Sequence, residues 1–320
     1  MRALVFDKEL KLIDNYKNPT LKKGEALIKI STAGICNTDV EITKGYMGFS
    51  GICGHEFVGK VIEINDEDKT LLGKRVVGEI NLGCENCPDC FNNMQRHCKN
   101  RETLGIFKKD GCFCEYLTMP LANLIEVPEN ISDEEAVLTE PIAAAFEILE
   151  QVHIEPAAKV AVLGDGKLGL LVSLVLSTTN AEIVTIGKHA NKLEIIEKQG
   201  VKTQLLENTT ESKCYDIVVD ATGSVNGFEK AIELVKPRGI LVLKSTVAAE
   251  KPLNLAPVVI DEITIVGSRC GQFRPALRLL GKKIFDFKSL ISATYSFSQA
   301  VEAFKYAQEK GVLKVLLKFE

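Results

Sequence analysis

Two rhythms of apolar and polar positions divide this chain. As far as residue 140, apolar positions come in short runs of strand composition, at 26–31, 56–64, 73–78 and 113–118. Ser132, followed three residues later by Glu135, opens a helix with a capping-box pattern. Pro141 interrupts that helix and suits the first position of a second one, with Glu140 at the joint. From Lys159 the rhythm becomes strand, helix, strand. Short buried strands are expected at 159–164, 182–186, 216–220, 240–244 and 262–266, with helices at 167–177, 192–199 and 227–235. That alternation predicts an α/β fold with a doubly wound parallel sheet. The remainder holds two helical patterns and a final strand at 312–317.

Bulk properties narrow the classes. A chain of 320 residues has room for about two domains. Its 39 basic and 43 acidic side chains leave a net charge of −4, without a long run of either sign. No basic stripe offers itself to phosphates, so a nucleic-acid partner is not expected. No apolar run reaches the roughly 18 residues of a membrane span, so no membrane partner is expected either. The start, Met1-Arg-Ala-Leu-Val-Phe, alternates like a strand and lacks the regions of a signal peptide. Ten cysteines without such a signal read as metal ligands and buried thiols, and the cytoplasm is the expected compartment.

Four of those cysteines fall in one run, Cys84-x2-Cys87-x2-Cys90-x7-Cys98. Four soft thiolates close a tetrahedral zinc shell and leave no open position, so the expected metal is structural. His97 is not needed as a ligand. An iron–sulfur carrier would favour a shorter final spacing, and a zinc-ribbon nucleic-acid module conflicts with the acidic balance. A second set is dispersed. Cys36 follows a predicted strand in Gly34-Ile-Cys36-Asn-Thr38-Asp39, His55 and Glu56 sit in Gly54-His-Glu, and Glu140 lies at the helix joint. Thiolate, imidazole and carboxylate all ligate zinc, and a catalytic site keeps one position open. Taken singly, a lone cysteine is a small buried hydrophobe and a lone glutamate a surface charge.

Gly164-Asp-Gly166-Lys167-Leu168-Gly169 fits G-x-G-x-x-G between a strand and a helix, the context that a dinucleotide turn requires. The glycines let the backbone approach a pyrophosphate, and the helix N-terminus offers it free N–H groups. An acid about 20 residues further on usually binds the ribose of NAD. Here Gly187 replaces it, followed by Lys188, His189 and, one turn on, Lys192. Glycine leaves room for a 2′-phosphate and lysine pairs with it, so NADP is expected to be favoured over NAD.

Taken together these motifs resemble the zinc-containing alcohol and polyol dehydrogenases of the medium-chain dehydrogenase/reductase superfamily, in family order along the whole chain. The resemblance implies a GroES-like β-rich catalytic domain over 1–140 with the structural zinc loop at 84–98. It implies a Rossmann domain over 141–268 and a segment, 269–320, that returns to the catalytic domain. Cys36, His55, Glu56 and Glu140 would hold catalytic zinc, giving two zinc ions per chain. Asp39 would orient His55, Thr38 would open the proton path, and Glu41 would bind substrate hydroxyls or be a surface acid. Thr222, Gly223, Ser268 and Arg269 would add cofactor contacts, the last two near the nicotinamide. The implied activity is hydride transfer between a secondary alcohol, polyol or sugar and NADP or NAD, in a homodimer or homotetramer. Its rivals are a zinc-free quinone or enone reductase of the same fold and a non-enzymatic zinc or iron–sulfur protein.

Overall fold

The computed structural model describes residues 1–245 and 253–320, which form two compact units. Met1–Glu140 and Phe273–Glu320 make the first, Pro141–Gln272 the second. Among the described residues, no helix is long and apolar enough to cross a membrane.

The first unit is organised by one long strand, Glu25–Ile35. Ala26, Ile28 and Ile30 are buried on one face, as the pleat of a half-buried strand requires. A register shift between Ile30 and Thr32 interrupts the alternation, and Ala33 and Ile35 beyond it are buried as well. Glu56–Ile64 pairs antiparallel along one edge. The other edge is shared. Tyr116–Pro120 pairs with its first half and Lys314–Lys318 with its second. The C-terminal strand thereby completes a seven-stranded sheet begun by the first 140 residues. This register sets Gly34 opposite Glu56 and Ile35 opposite Val315, so three chain segments converge where the long strand ends.

The second unit carries six parallel strands. Across the sheet they run Lys202–Leu205, Glu182–Gly187, Lys159–Leu163, Tyr215–Asp220, Val235–Leu243 and Thr264–Gly267. Numbered along the chain this is the order 3-2-1-4-5-6 of a dinucleotide-binding sheet. Helix Lys167–Ser177 is buried along most of its length. Its one buried hydroxyl, Ser173, accepts from Thr185 of the neighbouring strand at 2.7 Å and donates to Gly169 O at 2.9 Å. No polar group is stranded there.

Some boundaries differ from the pattern-based expectation. The edge strand Lys202–Leu205 is short and polar and was not anticipated. Pro141 is the third residue of helix Thr139–Gln151, not the first. Its missing N–H does no harm there, because the first-turn amides of a helix have no intrahelical acceptor.

The Ser132 capping box forms, and it does more than cap. Glu135 Oε2 accepts from the Ser132 amide and hydroxyl, both at 2.9 Å. Lys283 Nζ reaches the same carboxylate at 2.6 and 2.7 Å, which ties the returning C-terminal segment to the first 140 residues. Burial pushes the Glu135 carboxyl up, but Lys283 and Ser132 outweigh it and hold it below its ordinary 4.5. A depressed carboxyl stabilises the fold above its unfolded pKa and loses that contribution as pH falls through the folded value. Glu135→Gln should therefore lower stability by about 1 kcal/mol at pH 7. In urea unfolding, its gap from wild type should close below pH 4.5; a gap independent of pH would show that the charge is irrelevant.

Candidate active site and metal centres

The long strand of the first unit ends at Ile35, and the next residue, Cys36, caps helix Asn37–Thr43. Asp39 is the third residue of that helix and folds back over the cap. Its Oδ2 accepts from the Cys36 amide at 2.8 Å and its Oδ1 from the Gly54 amide at 3.1 Å. The same Oδ1 stands 3.2 Å from His55 Nδ1, a charge contact too bent to be a good hydrogen bond. Asp39 is fully buried and His55 nearly so. Burial opposes an imidazolium, yet Asp39 and Cys36 outweigh it and push His55 well above its ordinary 6.5. Gly54 has to be glycine. Its φ is +94°, and a Cβ would lie 2.6 Å from the Phe113 ring.

Glu56 begins the adjacent strand and is buried. Its Oε2 pairs with the buried Nζ of Lys314, while its Oε1 has no partner among the described residues. One ligand atom each from Cys36, His55 and Glu56 lies within 4.8 Å of the others. A buried carboxylate oxygen without a donor is destabilising unless a cation satisfies it. Thiol, imidazole and carboxylate make a donor set suited to zinc, so the residues fit that metal. Glu140 lies outside this compact set, though its charge acts on Lys314. The Thr38 hydroxyl is 3.9 Å from Cys36 Sγ. Glu41 instead faces outward, 37% exposed and paired with Lys44 at 3.0 Å, as a surface acid does.

Lys314 escapes the motif reading. Burial works against its charge, but Glu56, Cys36 and Glu140 prevail and hold its pKa above 10.5. A signal was present: one lysine inside the otherwise apolar run 312–317. The short loop between Cys36 and His55 is also structured. Met47 to Ser50 and Ile106 to Asp110 line a cavity of about 380 Å³, and Asp110 holds the Ile52 amide at 3.0 Å. Cys53, Cys112 and Cys114 are buried packing thiols; burial pushes Cys53 up to about 12.

Cys84, Cys87, Cys90 and Cys98 form a second compact set. The Sγ atoms are 3.6 Å apart for Cys87 and Cys90, 3.7 Å for Cys87 and Cys98, and 3.5 Å for Cys98 and Cys84. With zinc–sulfur bonds near 2.3 Å, the edges of a tetrahedral shell are about 3.8 Å. The four thiols are therefore pre-arranged for zinc and are not disulfide-bonded. His97 is exposed and stays outside the set.

In the second unit the glycine turn meets its geometric requirements. Gly164 has φ +115°, and a Cβ there would meet Ala221 O at 2.9 Å. Gly169 packs its Cα face on the Gly164 carbonyl. Gly166 caps helix Lys167–Ser177 with no side-chain bond, and a Cβ on it would meet nothing within 4 Å. A helix N-terminus directly after a glycine turn suits a pyrophosphate. Lys167 and Leu168 form the first helical turn. Thr222 is fixed by bonds from its amide and hydroxyl to Asp220 Oδ1, at 2.9 and 2.7 Å, and Gly223 turns the chain with φ +66°. Ser268 and Arg269 are held by Lys244, which donates to Ser268 Oγ at 3.0 Å and Arg269 O at 2.6 Å. Lys244 is buried and was not singled out from the sequence.

The end of the second strand holds a surprise. Lys188 and His189 are exposed and Lys192 is half-buried, as a basic loop should be. The space over Gly187, however, is filled by Asp165 from the glycine turn; a Cβ at 187 would lie 2.7 Å from its Oδ2.

Similarity to known proteins agrees with this geometry. Residues 22–129 match the family model of the alcohol dehydrogenase GroES-like domain, and residues 168–282 that of the zinc-binding dehydrogenases. The chain is 27% identical over 325 residues to a sorbitol dehydrogenase of Halalkalibacterium halodurans, covering 95% of this chain and 94% of the relative. It is 25% identical over 321 residues to D-arabinitol dehydrogenase 1 of Uromyces fabae, covering 94% and 91%. Among solved structures, an alcohol dehydrogenase of Thermus sp. ATN1 superimposes with a TM-score of 0.89 at 26% identity, over 100% of both chains. A fold of this order, two zinc-competent sets and matched models for both domains leave one assignment. The chain belongs to the zinc-containing medium-chain dehydrogenase/reductase superfamily, in its alcohol and polyol dehydrogenase branch.

Proposed function

We propose that the protein is a zinc-dependent dehydrogenase that moves a hydride between a secondary alcohol, polyol or sugar and a nicotinamide nucleotide. The carrying observation is the Cys36, His55 and Glu56 set, half-buried at Cys36 and buried at the other two, whose Glu56 Oε1 lacks a donor among the described residues, in a chain that also bears a glycine-rich strand-to-helix turn. The sorbitol and arabinitol dehydrogenase relatives support a polyol substrate.

Bound at this set, zinc supplies Lewis acidity toward a substrate hydroxyl, while the nicotinamide supplies the hydride acceptor. The chain's own residues do the rest. Asp39 fixes His55 and the Cys36 backbone together, so two ligands share one support. Lys314 holds Glu56 by one oxygen and leaves the other for the metal. Thr38, beside Cys36, would relay the substrate's hydroxyl proton, accepting it as its own hydroxyl proton passes to water. Glu140 adds negative charge at the edge of the set. The four-cysteine loop contributes folding free energy and no chemistry.

The protein also associates with a second copy of itself. The edge strand Thr264–Gly267 has no outer neighbour among the described residues, and Leu255, Val259 and Ile260 before it are exposed at 52%, 77% and 77%. An unpaired edge beside exposed apolar side chains suits pairing with a second copy. Val259→Asp should shift the protein towards monomer in light scattering; an unchanged mass would place the interface elsewhere.

Metal analysis should find two zinc ions per chain. Cys36→Ser should lose one of them with turnover, and lower the thermal midpoint less than loss of the four-cysteine zinc does. Cys87→Ser should lose the other and drop the midpoint first, since a structural zinc stabilises the fold. A single zinc in wild type would favour a zinc-free reductase. Thr38→Val should cut kcat by roughly 10²-fold or more with zinc content intact, and Thr38→Ser should restore much of it. Full activity in the valine variant would take Thr38 out of the proton path.

A further inference from the structure

Asp165 stands where a Rossmann fold usually selects its nucleotide, although it comes from a different part of the chain. In such folds an acid at the end of the second strand receives the adenosine ribose. Here that strand ends at Gly187. A Cβ built on Gly187 would lie 2.6 Å from Asp165 Cβ and 2.7 Å from its Oδ2. Glycine is thus needed at 187 because another residue's carboxylate occupies the space.

The grip on that carboxylate is specific. Oδ2 accepts the amides of Lys188 and His189, both at 2.6 Å, and stands 2.9 Å from His189 Nδ1. These amides lead into helix Ala190–Glu197 and are the donors that a 2′-phosphate at this turn would seek. They are already engaged. Oδ1 has no donor among the described residues. Asp165 is only 8% exposed.

We propose that Asp165 is the specificity-determining residue of the cofactor site, accepting the ribose 2′-hydroxyl of NAD through Oδ1 and excluding the 2′-phosphate of NADP. The inference rests on the dehydrogenase reading above and narrows it to one cofactor. A hydroxyl donates to a carboxylate; a phosphate brings only acceptors and negative charge. Burial pushes the Asp165 carboxyl up, but the bonds from His189 and Lys188 outweigh it and hold it below its ordinary 3.8. The carboxylate is charged at neutral pH.

Lys188, His189 and Lys192 pull the other way. Their effect is the weaker one. Lys188 and His189 are exposed, so their charges are screened and their side chains lose entropy on pairing. Asp165 is mostly out of solvent, with one oxygen held by two amides and the His189 ring. A fixed charge in a less polar setting outweighs solvated, flexible ones at similar range.

The test is nucleotide binding by the full-length zinc-loaded protein, titrated with NADH and NADPH. The chain has no tryptophan, so nicotinamide emission or calorimetry reads the dissociation constants. Wild type should bind NADH about tenfold or more tighter than NADPH, the loss expected for a hydrogen bond to a charged group. Asp165→Asn, with an unchanged circular dichroism spectrum, should bring that ratio to near one or below. Equal or tighter NADPH binding by wild type would overturn the inference. So would an Asp165→Asn variant that weakens both nucleotides by the same factor, the mark of a mere brace. If Asp165→Asn fails to fold, the wild-type ratio and Asp165→Ser decide. Binding of neither nucleotide would overturn the dehydrogenase reading, and this inference with it.

Discussion

The buried carboxylate of Asp39 is the constraint on which the metal set depends. It joins two segments that the chain separates, the cap at Cys36 and the turn at Gly54 and His55. Each oxygen has work to do. One closes the helix cap that presents the Cys36 thiol; the other receives an amide and faces an imidazole. A buried charge is tolerable only when its lone pairs are met. Here the groups that meet them are the supports of two metal ligands. Removal of one partner from such a buried arrangement costs about 3–5 kcal/mol in comparable systems, because the remaining charge is left uncompensated. The orientation of the ligands and the stability of the fold are therefore the same problem, solved by one residue.

Lys314 completes that electrostatic frame from the far end of the chain. Asp39, Glu56 and Glu140 bring negative charge to one region, and Lys314 brings a buried positive one. It reaches only one oxygen of Glu56. The second Glu56 oxygen, the imidazole and the Cys36 sulfur together form a donor set suited to a compact cation that accepts sulfur, nitrogen and oxygen ligands. The two zinc-competent sets differ for the same reason. The four cysteines converge within a short loop and need little from the rest of the fold. Cys36, His55 and Glu56 converge only through pairing of the long central strand with the strand that begins at Glu56, and the C-terminal strand on its other edge adds Lys314. The first set can help folding; the second presupposes it.

This difference also decides what could be read in the sequence. The cysteine loop, the capping box and the glycine turn are local, and spacing alone brings their groups together. All three form as read. The α/β alternation is legible too, because buried parallel strands and helices carry distinct periods. Lys314 is 258 residues from Glu56, and no local pattern reports a pairing made by sheet register. The edge strand Lys202–Leu205 lacks the apolar run that marks its buried neighbours. Glu41 lies close to Cys36 in sequence, but the helix turns it outward to Lys44.

Gly187 shows the limit of motif reading most clearly. A motif names the residue type expected at a position; the physical requirement is a functional group at a point in space. At the end of the second strand the expected carboxylate is missing from the sequence position and present in the structure, supplied from the glycine turn. The small residue and the acid are then two halves of one arrangement. Gly187 makes room for Asp165, and Asp165 takes up the amides that would otherwise form an anion site. Read singly, the glycine and its basic neighbours point to a bound phosphate. Read as a pair across the sheet edge, glycine and aspartate put a negative charge there instead. The identity of the nucleotide thus turns on a contact between positions 165 and 187, which neither position reveals alone.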